Sequence, residues 1–171
     1  MLLRPLADAD EQEVRLAQAE LLVDDFNFLL DERDGESWAA YVARVERWPD
    51  AEGLAPHHVP STFLVADVDG QIVGRVSIRH ELNAWLSEFG GHIGYGVRPA
   101  FRRRGHAKEI LRQALLIARD RGVTSALITC DDDNVASAAT IEACGGRFER
   151  LAEPVPGEPP LRRYWVPAPA A

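Results

Sequence analysis

The sequence contains only two cysteines and no long apolar run, and each deficit excludes a class of protein. Cys130 and Cys144 lie fourteen residues apart with no matching histidine cluster, a spacing that fits neither a zinc site nor a disulfide framework. We therefore expect two reduced thiols in a cytoplasmic protein, each packed as a small core residue. No apolar run approaches the ~20 residues that a bilayer span requires. Acidic side chains at positions 8 and 10 stand where a signal peptide has its apolar segment, so secretion is not expected.

What remains describes one folded domain. Of the 171 residues, 46% are hydrophobic and 27% are charged, which provides enough apolar side chains for a core. This aliphatic and aromatic content excludes disorder as the main state. We expect a single domain over 1–171, with an N-terminal part (1–60), a central core (61–150) and a C-terminal strand and tail (151–171).

Positive charge is scarce except in one segment. The chain carries 19 basic and 27 acidic side chains, a formal charge of −8. Residues 98–112 hold six of the basic side chains and one acidic side chain, a local charge of +5, so the remainder sums to −8 − 5 = −13. Such a patch on an acidic protein favours a small anionic ligand over nucleic acid, because the remaining surface repels a long polyanion. The alternative is a solvated basic helix start.

Hydrophobic periodicity predicts strands interleaved with helices. Apolar spacing and capping residues predict helices at 8–23, 37–48, 105–121 and 134–143. Strands are expected at 2–6, at 61–68 and 71–79 around an Asp69-Gly70 hairpin turn, at 92–97, at 125–130, and near 148 and 163–166. Residues 49–60, which include His57 and His58, and residues 80–90 are expected to be irregular. This order predicts an α/β or α+β domain built around a sheet.

The basic segment lies where a predicted strand is followed by a predicted helix. A helix start presents free N–H groups and a partial positive charge, which suit a phosphate. Gly105 has no Cβ, so its backbone can approach a ligand closely, and Ala107 leaves room for a diphosphate. The preceding arginines add charge-assisted hydrogen bonds. The spacing Arg102-x-x-Gly105-x-Ala107 in this context predicts a diphosphate site.

This segment resembles the pyrophosphate-binding motif of the GCN5-related N-acetyltransferase (GNAT) superfamily, Arg/Gln-x-x-Gly-x-Gly/Ala. The wider resemblance extends over residues 61–149, and the stretch 90–99 also resembles a bacterial branch of the superfamily. The resemblance implies a single-domain fold with a mixed central sheet flanked by helices on both faces. It further implies that residues 1–60 shape the acceptor site and that residues 61–150 bind acetyl-CoA.

The implied activity is transfer of an acetyl group from acetyl-CoA to a primary amine of a small molecule or peptide, without a metal. The resemblance leaves open which arginines contact the pyrophosphate. Family habit suggests a homodimer, and neither nucleic acid nor a membrane is expected as a partner. The implied cofactor-binding residues are Val97, Arg102, Arg103, Arg104, Gly105, His106, Ala107, Asn134 and Ser137.

Amine acetylation also needs a base for an ammonium acceptor and a proton for the departing thiolate. Many relatives carry a tyrosine seven residues after the Asn, whereas this sequence has Ile141, which cannot donate a proton. Tyr95 is the candidate acid, with a core role as the alternative. His92, because an unperturbed imidazole has a pKa of about 6.5, and Glu81 are the candidate bases. A structural histidine and a surface glutamate are the alternatives.

Two rival functions stay open from the sequence. The absent tyrosine is compatible with a non-catalytic acyl-CoA-binding or regulatory domain. A nucleotide-phosphate-binding enzyme is disfavoured, because no Gly-x-x-x-x-Gly-Lys-Ser/Thr motif occurs. For the acceptor, the charge of −13 outside the basic segment mildly favours a cationic molecule, and Trp85 is expected to form a wall of its pocket.

Overall fold

The computed structural model describes residues 1–52, 54, 58–152 and 159–169. Strands and helices are interleaved along the chain. A π-helical turn at Leu86–Gly90 lies in the segment predicted to be irregular. The other elements begin and end within a few residues of their predicted bounds. The helices are α1 (Glu11–Leu22), α2 (Trp38–Val45), α3 (His106–Asp120) and α4 (Val135–Ala143). The strands are β1 (Leu2–Arg4), β2 (Ser61–Val68), β3 (Gln71–Arg79), β4 (Ile93–Val97), β5 (Ser125–Asp131), β6 (Arg147–Ala152) and β7 (Leu161–Pro167).

The described strands form two antiparallel sheets, ordered β1-β2-β3-β4 and β5-β7-β6. The β2–β3 hairpin turns at Asp69 and Gly70, whose φ angles are 53° and 82°. Positive φ at both central positions defines a type I′ turn, for which Asp-Gly is a preferred pair. The Asp67 carboxylate supports the turn by accepting a hydrogen bond from Gly70 N–H at 2.8 Å. The predicted hairpin is therefore confirmed.

Helices cover both faces of the first sheet. Leu64 and Ala66 of β2 belong to the core under α3 and α4, whereas Phe63 and Val65 belong to the core under α1 and α2. This alternation follows from the two-residue period of a strand. The predicted α/β class, with helices on both sides of a central sheet, is confirmed. Among the described helices, none is long and apolar enough to cross a bilayer.

The two sheets meet at β4 and β5, which lie side by side without forming a ladder. At the junction His92 N–H donates to Leu127 O at 2.6 Å, while Leu127 N–H donates to the His92 ring at Nδ1, 2.9 Å away. Because an imidazole takes the place of a backbone carbonyl, the ladder does not continue. The central sheet expected from the sequence is therefore divided, and its described strand pairings are all antiparallel.

Arg98, the first cation of the basic segment, joins α1 to the end of β4. Its guanidinium is buried and donates to Glu20 at 2.8 Å, to Glu13 at 3.0 Å and to the carbonyl of Ile72 at 2.8 Å. The hydrogen bond from Arg98 holds the pKa of Glu20 below its ordinary value. A lowered folded-state pKa means that this contribution to stability is present at neutral pH and is lost as the pH falls through that pKa.

Replacing Arg98 by Met should lower the free energy of unfolding at pH 7 by roughly 3 kcal/mol, because Glu13 and Glu20 lose their partner. Chemical denaturation measures this change. Arg150→Met is the control, since Arg150 pairs with Glu88 on the surface and an exposed pair contributes less than about 1 kcal/mol. Equal losses in the two variants would show that Arg98 is not an anchor of the fold.

Candidate active site

Beyond His92 the backbone of β4 is exposed on the edge that faces β5. Arg79 N–H donates to His92 O and Arg98 N–H donates to Val73 O, which fixes the antiparallel register with β3. Paired positions alternate along such a strand. The N–H and C=O groups of residues 94 and 96 therefore point to β3, and those of residues 93, 95 and 97 point away from it. In the described chain no strand pairs with this edge, so an extended ligand can hydrogen bond there as an added strand.

The turn between β4 and α3 forms a concavity lined by N–H groups. The φ angles of Arg103 and Gly105 are 62° and 82°, and alternating signs of φ turn successive N–H groups to one side, which creates an anion site. No side chain caps α3. Across the described residues, the N–H groups of residues 103–108 donate to no protein acceptor. Nothing lies within 4 Å of where a Cβ on Gly105 would sit. The turn fits a diphosphate.

The arginines of this turn differ in their partners. The Arg102 side chain donates to Val97 O at 3.0 Å and to Asp24 Oδ2 at 2.6 Å, so it joins the end of β4 to the loop after α1. Arg103 and Arg104 are exposed and make no ion pair with any described carboxylate. These two guanidiniums are therefore available to an anion in the concavity. His106 and Ala107 form the half-buried first turn of α3.

Tyr95 places a hydroxyl group at the start of α4. Its oxygen lies 3.2 Å from Ser137 Oγ, and its ring packs against the main core. Burial raises the pKa of Tyr95 to about 12, so the phenol is protonated at neutral pH and can donate a proton. Asn134 caps α4, because its Oδ1 accepts from Ser137 N–H at 3.0 Å. Ile141, at the position of the missing tyrosine, is fully buried in the core.

His92 does not have the geometry of a general base. It is 9% exposed, and the lone pair on Nδ1 already accepts the hydrogen bond from Leu127 N–H. Burial, together with the charge of Arg79, lowers the pKa of His92 to about 4. Its neutral ring must then carry its proton on Nε2. The structure thus opposes the predicted catalytic role and supports the alternative, a structural histidine at the junction of the two sheets.

A cavity of about 320 Å³ opens on the face of the first sheet opposite α3. It lies between the segments on either side of α2, the open end of the β2–β3 hairpin at Ser61 and Arg79, and the segment before β4. Trp85, expected as a pocket wall, does line it, whereas Glu81 is exposed and is not part of the lining. His58 also lines it, and His57 lies outside the described residues. The lining residues are Leu30, Asp31, Trp48, Leu54, His58, Val59, Ser61, Ser77, Arg79, Asn83, Trp85 and Leu86.

Sequence reasoning missed the arginines on β3. Arg75 and Arg79 project from the same face as Ser77, and a Cβ on Gly94 of β4 would lie 3.8 Å from Arg79 Nη1 and 3.9 Å from Arg75 Nη1. Both guanidiniums therefore lie directly against β4 at Gly94. The signal was present in the sequence, since two cations at i and i+4 within a β-branched strand share one face.

The comparisons with known proteins identify the family of this chain. The model of the acetyltransferase (GNAT) family matches residues 10–145, so the match extends into the N-terminal part, beyond the residues 61–149 that carried the resemblance. The chain belongs to the GNAT acetyltransferase family. No curated protein matches it at a significant level.

Solved structures with the same fold cover almost the whole chain. Ribosomal-protein-alanine N-acetyltransferase from Brucella melitensis is 19% identical with a TM-score of 0.66, over 98% of this chain and 99% of that one. YncA from Salmonella typhimurium, solved with its cofactor acetyl-CoA, is 14% identical with a TM-score of 0.64, over 99% and 95%. The microcin C7 self-immunity acetyltransferase MccE, solved with acetyl-CoA and AMP, is 20% identical with a TM-score of 0.64, over 96% and 91%.

Family membership confirms the predicted cosubstrate, acetyl-CoA. The concavity at residues 103–108 and the unpaired edge of β4 fit its diphosphate and its amide-containing arm, respectively. Within the described chain, His, Cys, Asp and Glu side chains form no cluster that could hold a metal ion.

Gly105→Glu should weaken binding of coenzyme A by about 100-fold or more, or about 3 kcal/mol, because it adds a negative charge beside the diphosphate. The matched control is Gly122→Glu at the other end of α3. Gly122 also has a left-handed φ, 90°, and nothing within 4 Å of its Cβ position, so both variants carry a similar backbone strain of about 1 kcal/mol. Calorimetric titration with coenzyme A separates them. Equal affinities would place the diphosphate elsewhere.

His92→Asn should flatten the pH dependence of stability between about pH 6.5 and about pH 4. The folded-state pKa of His92, about 4, lies below the unfolded value of about 6.5, so the unfolded state binds more protons in this range. Stability therefore falls as the pH decreases. Asn removes this titration and keeps an acceptor for Leu127 N–H. Denaturation at several pH values measures the slope, with His106→Asn as control; an unchanged slope in His92→Asn would refute the assignment.

Proposed function

We propose that the protein is an N-acetyltransferase that moves the acetyl group of acetyl-CoA directly to a primary amine of a small molecule or peptide. The observation that carries this proposal is the position of β4. Its free edge begins at the sheet junction and leads to the anion-binding turn, and its other edge pairs with β3, whose Ser77 and Arg79 line the cavity. A site for the acetyl donor and a site for an acceptor thus lie on neighbouring strands.

In this proposal the cosubstrate binds along the edge of β4 and in the turn. The outward N–H group of Val97 holds the pantetheine arm, and the N–H groups of residues 103–108 hold the diphosphate. Arg103 and Arg104 add charge-assisted hydrogen bonds. Arg102 keeps the end of β4 in place through Val97 O. Asn134 fixes the start of α4, and Ser137 holds the Tyr95 hydroxyl at the same edge.

The reaction requires two proton transfers and the stabilisation of a negative charge on the carbonyl oxygen. Acetyl-CoA supplies a thioester whose carbonyl carbon bonds to the amine nitrogen as the carbon–sulfur bond breaks. Outward N–H groups of β4 stabilise the negative charge on the carbonyl oxygen. Tyr95 donates its proton to the departing sulfur. The amine loses its proton to Asp31 or His58, the proton acceptors in the cavity lining, since Glu81 lies outside the lining and His92 is occupied by Leu127.

The second candidate is a non-catalytic acyl-CoA-binding or regulatory domain. It is favoured by Ile141, which fills the core where many relatives have a proton-donating tyrosine. Amine-dependent release of coenzyme A from acetyl-CoA, followed with a thiol reagent and confirmed by the mass of the product, distinguishes the two. We expect release with at least one primary amine. Thermal stabilisation by coenzyme A without release for any amine tested would support the binding domain.

Tyr95→Phe should lower kcat by about 100-fold with little change in the affinity for acetyl-CoA, because it removes the proton donor and keeps the ring. Tyr164→Phe is the matched control. Tyr164 is a second tyrosine of the main core, but its hydroxyl donates to Glu142, and kcat should stay near that of wild type. Similar kcat values for the two variants would remove Tyr95 from the mechanism.

We also propose a cytoplasmic location, since Cys130 and Cys144 are free thiols and reducing compartments preserve such thiols. The homodimer suggested by family habit and the subdivision at residues 60 and 150 stay predictions.

A further inference from the structure

Two arginines on β3, the buried Arg75 and the half-buried Arg79, have no carboxylate partner among the described residues. Arg75 is 4% exposed and donates to Gly94 O at 3.1 Å and Asn27 O at 2.6 Å. Arg79 donates to Gly90 O at 2.9 Å and Gly91 O at 3.1 Å. Of the carboxylates in the described chain, none forms an ion pair with either guanidinium. Their partners are neutral carbonyls, which leave two positive charges uncompensated.

In contrast, the other buried arginines in the described part of the chain each form ion pairs with carboxylates. Arg44 pairs with Glu36 and Asp31, Arg98 with Glu20 and Glu13, and Arg163 with Glu149. Burial of an unpaired charge is costly, and burial lowers the pKa of both Arg75 and Arg79, that of Arg75 to about 9. A guanidinium keeps its positive charge in proteins. An uncompensated pair beside a cavity is the arrangement expected of a site that receives an anion.

The cavity beside these arginines is polarised. Arg79 is the guanidinium in the described lining, with Arg75 four residues before it on the same strand face. Elsewhere the lining includes Asp31, whose cluster with Glu36 and Arg44 carries a net charge of −1. The indole N–H of Trp48, a further lining residue, is buried and has no acceptor in the described part of the chain. The cavity thus has a cationic end, an anionic end and an unused donor.

Six lining residues are apolar or aromatic, beside the polar side chains of His58, Ser61, Ser77 and Asn83, and the volume is small. At about 320 Å³ the cavity is at the lower limit for small-molecule sites. Its walls are formed by Leu30, Trp48, Leu54, Val59, Trp85 and Leu86. Such walls suit one apolar side chain and offer little to a polyhydroxylated or polycationic molecule.

We propose that the acceptor is a free α-amino acid with an apolar side chain, whose carboxylate binds Arg79 with Arg75 behind it and whose amino group is directed toward β4. The inference rests on the proposed acetyltransferase function and names its substrate class. It replaces the cationic acceptor that net charge favoured, because guanidiniums that no carboxylate neutralises favour an acceptor with a carboxylate over a polyamine. The amino group is the nucleophile: it forms the amide bond to the acetyl carbon and loses one proton.

The test compares L-leucine, L-methionine and L-phenylalanine with their amides, with isoamylamine and phenethylamine, and with spermidine. We expect kcat/KM for the free acids to exceed that for the amides and amines by about 10- to 100-fold, the value of a charge-assisted hydrogen bond. In Arg79→Gln this ratio should fall toward one, while the affinity for coenzyme A stays unchanged. Arg79→Lys keeps the charge and should retain part of the preference.

Binding is measured separately by calorimetric titration of each acid and amide into the protein saturated with coenzyme A. Loss of acid binding in Arg79→Gln, in a variant whose thermal unfolding still responds to coenzyme A, supports the inference even if turnover is slow. Equal acetylation of acids and amides by the wild type overturns it and leaves the acetyltransferase intact. An unchanged preference in Arg79→Gln also overturns it. Binding of the acids without release of coenzyme A for any amine refutes the proposed function alone.

Discussion

The site depends on how the backbone N–H and C=O groups of one residue, Leu127, are hydrogen bonded. Buried N–H and C=O groups must find partners, and in a continued sheet successive positions of the neighbouring strand would provide them. Here the Leu127 carbonyl accepts from His92 N–H and the Leu127 N–H is taken by the His92 ring. Pairing between the sheets stops after this residue. The free edge of β4 and the turn that follows it both lie beyond that point.

The basic segment that stood out in the sequence is divided among several tasks in the structure. Arg98 neutralises two glutamates of α1, and Arg102 connects the end of β4 with Asp24. The concavity at residues 103–108 is lined by main-chain N–H groups. A local charge of +5 therefore overstates the number of cations that are available to an anion, because Arg98 and Arg102 already pair with carboxylates.

Turns and helices could be predicted from the sequence where interactions between neighbouring residues determine them. The Asp69-Gly70 pair specified its turn, and the apolar spacing of α3 specified the face that it buries. The site required contacts between distant segments. Arg75 and Arg79 alternate with apolar residues, a pattern typical of a solvent-facing side, and only the packing of residues 26 and 27 over β3 buries the first of them. His92 looked like a base because nothing in its neighbourhood reveals a bond to a residue 35 positions later.

The position of β7 has a consequence for biosynthesis. This strand lies between β5 and β6. The ribosome makes β5 and β6 first, but the two do not pair with each other, so the sheet forms only when residues 161–167 insert between them. A chain emerging from the ribosome can close the β2–β3 hairpin early, but the second sheet lacks its middle member until the last of these segments is made. Such non-local pairing is slow and leaves strand edges exposed meanwhile. A premature stop before β7 therefore removes the centre of that sheet rather than trimming its margin.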